Sequence, residues 1–191
     1  MFVVLGLGNP GRRYARTRHN VGFRVVEALA RRWEVEVRRR KFLARVGESA
    51  RGGRRVLLVE PGTYMNASGR SARAALDFYR LAPEALCVVS DDVNLPLGRL
   101  RVRRGGSAGG HRGLESVAAS LGTDRFGRLR VGVGAPRGDP RDYVLSAFSA
   151  EESDAAEAAV EQAASAVECW LEEGIERCMN RYNAAPPEAN G

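Results

Sequence analysis

Short apolar runs and longer amphipathic stretches alternate along the chain. The short runs predict buried strands, and they lie at residues 3–5, 56–60, 86–92 and 129–134. Apolar residues three and four positions apart predict helices, which cover residues 21–32, 64–79, 114–121 and 151–173, with a shorter one after Gly174. Alternating positions predict further strands, at residues 35–37, 42–46 and 99–104. Strands that alternate with helices predict an α/β domain with a mixed or mostly parallel central sheet.

The predicted elements leave little chain between them. Arg51-Gly52-Gly53-Arg54 has the composition of a hairpin turn. No internal repeat or linker interrupts the 191 residues, a length typical of one domain with a sizeable core. We therefore predict a single domain over residues 1–183. The last residues, 184–191, have a composition typical of a disordered tail.

Composition indicates a soluble protein with a polyanionic partner. Hydrophobic residues make up 44% of the chain, charged residues make up 28%, and no apolar run is long enough to span a membrane. The three cysteines form no C-x-x-C pair, which favours the cytoplasm over a disulfide scaffold. The formal net charge of +7 favours binding to a nucleic acid or another polyanion.

A glycine motif follows the first strand and allows two interpretations. Gly6-Leu7-Gly8-Asn9-Pro10-Gly11 matches G-x-G-x-x-G, the dinucleotide-binding pattern. That pattern needs a helix that begins within it, whereas here a proline lies inside the motif and helical periodicity begins only at Val21. The alternatives are a purely structural turn, or a turn that presents Asn9 to a site.

Two histidines are candidates for chemistry. His19 and His111 are the only histidines, and both lie in glycine-bordered polar segments. Histidine is a common general base, and Asp91, at the end of a predicted strand, is a candidate to orient it. Loops at the carboxyl ends of strands in open α/β sheets meet at one edge, where ligands bind. The sequence thus favours a site that combines Asn9, Asp91 and the histidines.

Other chemistries fit the sequence less well. A zinc site could use both histidines and Asp91, but no two histidines have the close spacing of H-E-x-x-H. A serine hydrolase would need G-x-S-x-G, which neither candidate serine segment matches.

Arginines cluster in three segments. Arg101 and Arg103 are two residues apart on a predicted strand, so they share one face, and Arg128 and Arg130 repeat this spacing. Four more arginines precede His19, at positions 12, 13, 16 and 18. These segments are either solvated surface or a track for phosphate groups, which arginine binds in a bidentate manner.

Four motifs together resemble the bacterial-type peptidyl-tRNA hydrolase family. They are GLGNPGRRYARTRHNVGF, PGTYMNASGRS, SDDVNLPLGRLRVRRGGSAGGHRGLESV and RLRVGVGAP, in the order and spacing of that family. The resemblance covers the chain from Val3 to about Asn183. It implies a single α/β domain with a twisted mixed sheet surrounded by helices. It also implies hydrolysis of the ester between a peptide and the 3′-terminal ribose of tRNA, without a metal or organic cofactor.

The resemblance also implies roles for individual residues. His19 is similar to the catalytic base of the family, and Asp91 is similar to its partner. Asn9 and Asn66 correspond to amides that orient the substrate. The remaining expected substrate or tRNA contacts are Tyr14, Met65, His111, Arg112, Arg101, Arg103 and Arg130.

Two positions depart from the family pattern. Arg112 stands where the family commonly has asparagine, and Asn94 stands where an aspartate is frequent. We expect a cytoplasmic monomer whose partner is peptidyl-tRNA and not a membrane. Two alternatives remain: a relative that binds RNA without hydrolysis, and a dinucleotide-dependent oxidoreductase.

Overall fold

A computed structural model describes residues 1–184 of the chain. In this part of the chain seven strands form one mixed sheet in the order β2-β3-β4-β1-β5-β7-β6. The strands are β1 (Phe2–Gly6), β2 (Arg39–Lys41), β3 (Ala44–Arg51), β4 (Arg54–Pro61), β5 (Leu86–Asp92), β6 (Leu100–Arg103) and β7 (Gly127–Gly132). The helices are α1 (Val21–Arg32), α2 (Gly69–Tyr79), α3 (Arg112–Leu121), α4 (Pro140–Val144), α5 (Ala150–Glu173) and α6 (Ile175–Asn183).

The centre of the sheet is parallel and its edges are antiparallel. Strand β1 pairs in parallel with β4 and β5, and β7 pairs in parallel with β5. Strands β2, β3 and β6 join through antiparallel pairs. Every residue of β1 and β5 is buried, as expected for parallel strands that are covered by helices on both faces.

Two hydrophobic layers sandwich this sheet. Residues of α1, α5 and α6 pack against one face, and residues of α2 and α3 pack against the other. Two glycines allow α1 to lie close to the end of β1, because a Cβ on Gly6 would lie 2.2 Å from the carbonyl oxygen of Gly22 in α1. A Cβ on Gly8 would lie 2.7 Å from the ring of Phe23. Packing of helix on strand therefore accounts for these two glycines of the motif.

The predicted α/β class is confirmed, with local differences. Residues 35–37 form no strand, and Phe42 and Leu43 form the β2–β3 turn instead of a strand. The helix predicted over 64–79 is divided into a 3-10 turn, Met65–Ala67, and α2. Helix α2 begins at Gly69, where a Cβ would lie 2.0 Å from the carbonyl oxygen of Ser116 in α3. The periodicity of the sequence did not predict α4.

The structure does not test two predictions about where the domain ends and the tail begins. The tail predicted for residues 184–191 lies, apart from Ala184, outside the described residues. The domain boundary at residue 183 therefore stays a prediction. Within residues 1–184, no helix combines the length and hydrophobicity that crossing a bilayer requires.

Candidate active site

A cavity of about 480 Å³ opens at the carboxyl end of the parallel strands. Residues that follow β1, β4 and β5 contribute to its wall, as do the loop before α3 and helix α4. Nine of the eleven predicted site residues line it: Asn9, Tyr14, His19, Met65, Asn66, Asp91, His111, Arg112 and Arg130. Polar side chains from segments that are distant in sequence thus meet at one end of the sheet, as the strand order requires.

Asp91 is the buried centre of this site. It lies near the end of β5, and its side chain is 3% exposed. One oxygen, Oδ1, lies 2.8 Å from His19 Nδ1 and 2.9 Å from His111 Nε2. Burial alone would raise the pKa of Asp91, but electrostatic attraction to both histidines and hydrogen bonding with them outweigh burial and hold the pKa well below its usual range. Asp91 is therefore a carboxylate, which can only accept hydrogen bonds.

His111 is fixed in one tautomer by the start of α3. It is the N-cap residue, and its Nδ1 accepts hydrogen bonds from the backbone N–H groups of Gly113, at 3.1 Å, and Leu114, at 3.4 Å. A nitrogen that accepts hydrogen bonds carries no proton, so the proton of the neutral ring is on Nε2 and is donated to Asp91. Both ring nitrogens of His111 are thus engaged within the protein.

His19 is held on one side only. It lies in the 3-10 turn Arg18–Asn20, and its Nδ1–H donates to Asp91. Its second nitrogen, Nε2, has no hydrogen-bond partner among residues 1–184, and the ring lines the cavity. Because the proton is on Nδ1, Nε2 has a lone pair available to take a proton from a molecule in the cavity.

The turn that carries His19 is anchored from behind by Arg18. Its guanidinium forms an ion pair with Glu152 of α5 at 2.5 Å and stacks on the rings of Tyr143 and Phe148. Arg18 is 5% exposed. Both interpretations of the arginine segment, solvated surface and phosphate contact, are therefore wrong for Arg18. Arg12, Arg13 and Arg16 are exposed as predicted.

The triad atoms are also of the types that bind metals. The nearest ligand atoms of His19, Asp91 and His111 all lie within 4.8 Å of one another. However, His111 Nε2 carries a proton, as its tautomer requires, so it has no lone pair for a cation. The contacts of 2.8 to 3.0 Å between the histidines and Asp91 are hydrogen bonds. The arrangement favours a hydrogen-bonded triad over a metal site.

Asn20 fixes Asn9, and the sequence pattern did not identify it. Its carboxamide accepts a hydrogen bond from the backbone N–H of Asn9 and donates one to the backbone carbonyl of Asn9, both at 2.9 Å. The Oδ1 of Asn9 accepts a hydrogen bond from the backbone N–H of Met65 at 2.9 Å. This leaves the Asn9 Nδ2 as the group that can donate to a ligand. The feature of the sequence that could have identified Asn20 is its position between His19 and the predicted apolar helix that begins at Val21.

Other predicted residues surround the triad. Asn66 and Arg112 are exposed and line the cavity, as does the half-buried Tyr14. Arg130 also lines it and forms an ion pair with Asp92 at 3.0 Å. The structure therefore brings the amide and cationic groups to the same opening.

A row of arginines lies on the neighbouring β6–β7 pair. Arg101 and Arg103 are exposed, and their backbone partners on β7 are Arg130 and Arg128. Neither Arg101 nor Arg103 lines the cavity. Arg128 is only 2% exposed and donates to the backbone carbonyl of Ser107 at 2.6 Å. Both interpretations of the basic segments, surface and phosphate track, are therefore wrong for Arg128, which fixes the glycine-rich loop before α3.

Comparisons with known proteins agree with this geometry. The profile of the family described as peptidyl-tRNA hydrolase matches residues 3–190. A peptidyl-tRNA hydrolase of Rhodopirellula baltica is 46% identical, over 97% of this chain and 98% of its own. One from Synechococcus sp. strain JA-3-3Ab is 50% identical, over 95% of this chain and 82% of its own. The solved structure of peptidyl-tRNA hydrolase from Acinetobacter baumannii superposes with a TM-score of 0.91, at 36% identity, and covers 98% of this chain and 96% of that one.

Proposed function

The chain belongs to the peptidyl-tRNA hydrolase family, and we propose that it hydrolyses the ester between a peptide and the 3′-terminal ribose of tRNA. The products are a free peptide and a tRNA that can be charged again. The observation that carries the proposal is the asymmetry of the triad. One histidine has both nitrogens engaged, whereas the other lines the cavity and has an Nε2 without a hydrogen-bond partner among residues 1–184.

In the proposed mechanism His19 is the general base. Its Nε2 takes a proton from water, and the resulting hydroxide attacks the ester carbonyl to form a tetrahedral intermediate. When this intermediate collapses, the bond between the carbonyl carbon and the ribose oxygen breaks, and the imidazolium of His19 returns its proton to that oxygen. Asp91 accepts the Nδ1–H of His19, so it holds the ring in the required tautomer and stabilises the imidazolium that forms. General-base catalysis of this kind contributes about 10² to 10⁴ in rate.

His111 acts as a positioning residue in this scheme. Its Nε2–H donates to the same oxygen of Asp91, Oδ1, that His19 contacts, and the start of α3 holds its Nδ1. Neither nitrogen can exchange a proton with substrate without breaking one of these hydrogen bonds. His19 thus keeps the role of base that the family resemblance implied, whereas His111, expected to contact substrate, becomes a positioning residue.

The remaining site residues bind the substrate. Asn9 and Asn66 donate amide hydrogen bonds to the peptide and the ribose, while Tyr14 and Met65 line the pocket. Arg112 and Arg130 place positive charge at the cavity mouth. Arg101 and Arg103 extend that charge along β6, where the phosphates of the tRNA bind. The protein acts as a cytoplasmic monomer and needs no metal or organic cofactor.

Ester cleavage measured directly tests the proposal. The purified protein is incubated with N-acetyl-aminoacyl-tRNA, with and without a chelator, and the release of tRNA is followed. We expect cleavage at equal rates under both conditions. Loss of activity with the chelator and its recovery with zinc would instead support a metal site. Binding of tRNA without cleavage would support an RNA-binding role.

A further inference from the structure

Three large apolar side chains stand out as exposed among the described residues, and one of them, Tyr64, lines the cavity. Leu43 is 52% exposed, Tyr64 is 57% exposed and Phe78 is 59% exposed. Leu43 lies in the β2–β3 turn, Tyr64 precedes the 3-10 turn after β4, and Phe78 lies near the end of α2. We name these residues, together with Lys41 and Phe42, the hairpin-tip patch.

The patch reaches the cavity through Tyr64. The carbonyl of Leu43 accepts a hydrogen bond of 2.8 Å from the backbone N–H of Gly62. Tyr64 follows Gly62 by two residues, a span of at most about 7 Å in an extended chain, and its side chain lines the cavity. On the other side of the turn, the ring centroids of Phe42 and Phe78 are 5.3 Å apart. The hairpin tip thus lies beside the segment that carries Tyr64 to the cavity wall, and it contacts α2 through Phe42.

The turn that presents Leu43 has an unfavourable backbone conformation. Phe42 and Leu43 have φ values of +58° and +54°. Asparagine and glycine favour this conformation, and bulky side chains seldom adopt it. The hydroxyl of Ser71 stabilises the turn by donating to the carbonyl of Leu43 at 3.2 Å. Strain of this kind clusters at sites of function, which fits a turn whose apolar side chain faces solvent.

The patch and the arginine row lie toward opposite edges of the sheet. Strand β2 forms one edge and β6, with Arg101 and Arg103, forms the other. Both flank the same catalytic end, because the β2–β3 turn adjoins the carboxyl end of β4, where Ala44 pairs with Pro61. If tRNA lies along β6, the acyl chain has the opposite flank available.

We propose that the hairpin-tip patch binds apolar side chains of the peptide upstream of the ester-linked residue. The inference rests on the proposed function, because it requires an acyl chain at His19. A cavity of about 480 Å³ is the size of a site for one drug-sized ligand. It holds the terminal nucleoside and the first residue, so a longer peptide must cross the surface beyond Tyr64. Apolar contact there makes cleavage depend on peptide length and hydrophobicity.

A peptide fits this patch better than stacked RNA bases do. The ammonium of Lys41 lies 3.4 Å from the centroid of the Phe78 ring and covers one of its faces. The ring planes are also inclined, by 57° between Phe42 and Phe78 and by 84° between Phe78 and Tyr79. The rings therefore form no parallel platform of the kind on which successive bases stack.

The test compares three substrates on one tRNA: an N-acetyl-aminoacyl ester, a hexapeptidyl ester with leucines upstream, and the same hexapeptide with serines. The wild type should have a KM for the leucine peptide several-fold lower than for the serine peptide. The double variant Leu43→Ser/Phe78→Ser should raise the KM for the leucine peptide about 3- to 10-fold, as expected for loss of one or two apolar contacts. It should leave the aminoacyl ester within twofold of wild type.

Controls separate this inference from its alternatives. Arg54→Ser, at the exposed start of β4 and at the opposite end of that strand from the β2–β3 turn, should behave as wild type. Equal KM values of the wild type for both hexapeptides would overturn the inference even if the double variant failed to fold. If the double variant raised the KM for all three substrates equally, the patch would bind the RNA. If the wild type were a dimer and the double variant a monomer, the patch would bind a second copy of the chain. Either result would overturn the inference. Failure of the wild type to cleave any substrate would instead contradict the proposed function.

Discussion

The triad of His19, Asp91 and His111 and the arginine row of β6 are held in opposite ways. In the triad, three of the four histidine ring nitrogens and both oxygens of Asp91 take part in hydrogen bonds within the protein. On β6, Arg101 makes no side-chain hydrogen bond or ion pair within residues 1–184. Arg103 makes one, of 3.4 Å, to the carbonyl of Val102. The backbone of β6 is nevertheless fixed, because Asn183 pairs with both polar backbone groups of Val102.

This difference follows from what each region must do. Proton transfer needs donor and acceptor atoms within hydrogen-bond distance and in one tautomer, so the triad is pre-organised. Attraction between arginine and phosphate acts over about 10 Å at 0.1 M salt and tolerates several side-chain positions. A fixed strand with unpaired guanidinium groups is sufficient for that task. Mutations in the two regions should therefore change different kinetic constants.

The largest expected effect is that of His19→Ala. Because this variant lacks the base, kcat should fall by about 10² to 10⁴, while the dissociation constant for tRNA should stay within twofold. Single-turnover cleavage of N-acetyl-aminoacyl-tRNA and filter binding measure the two quantities.

The matched variant is His111→Asn. Asparagine retains an acceptor for the start of α3, where it is a favourable N-cap residue, but loses the hydrogen bond to Asp91. We expect kcat to fall by only about tenfold, the size of one lost positioning hydrogen bond. A greater loss for His111→Asn than for His19→Ala would reverse the assignment of the base.

A second prediction uses two asparagines that make the same contact in the two regions. Asn20 pairs with the backbone N–H and carbonyl of Asn9, and Asn183 does the same with Val102. Each alanine variant leaves backbone groups unpaired and should lower the free energy of unfolding by about 1–3 kcal/mol. Only Asn20→Ala should also lower kcat, by about tenfold, because Asn9 is the residue proposed to contact substrate. Denaturant unfolding and steady-state kinetics test this, and a similar loss of kcat in both variants would contradict it.

A third prediction concerns the arginine row. Arg101→Ala/Arg103→Ala should raise the KM for full-length peptidyl-tRNA several-fold and leave kcat within twofold. The logarithmic salt dependence of binding should flatten by about one unit or less per lost contact. The control Arg40→Ala/Arg54→Ala removes the same charge from exposed arginines elsewhere. If both pairs change the salt dependence equally, net charge and not the β6 row determines affinity.

The sequence predicted the residues that line the site better than it predicted the residues that hold them in place. Periodicity located the central strands, and the convergence of loops at one edge of the sheet correctly predicted that Asn9, Asp91 and the loop that carries His111 lie together. Helix α1 begins and ends where its apolar spacing predicts, at Val21 and Arg32. These features depend on local pattern and on topology, both of which a sequence carries.

The supports depend on contacts between distant residues. Arg18 and Arg128 have the same local appearance as exposed arginines, and their burial results from Glu152 in one case and from Ser107 in the other. The turn at Phe42 and Leu43 carries no glycine or asparagine to mark it. The tautomer of His111 depends on where α3 begins relative to Asp91. Tertiary packing determined each of these features, so no local pattern indicated them.

The smallest expected effect is a pH dependence of stability, and it follows from a comparison of two buried carboxylates. Asp91 has two N–H partners, whereas Glu60 on β4 has one ion pair, with Arg45 at 2.5 Å. Burial raises the pKa of Glu60 to about 7; Arg45 opposes this shift and the nearby Glu27 adds to it. The pKa of Glu60 in the folded state thus exceeds the value of 4.5 expected when the chain is unfolded.

The sign of the resulting pH dependence follows from this difference. Between pH 4.5 and 7 the folded state retains a proton that the unfolded state releases. The contribution of Glu60 to stability is therefore present below pH 4.5 and is lost as the pH rises through 7. The wild type should lose about 1–3 kcal/mol of unfolding free energy between pH 5 and pH 8 through this group. Glu60→Gln should remove that loss without changing kcat at pH 7. Denaturant unfolding at pH 5, 6, 7 and 8 measures the effect, and parallel curves for the two proteins would show that Glu60 is ionised throughout this range.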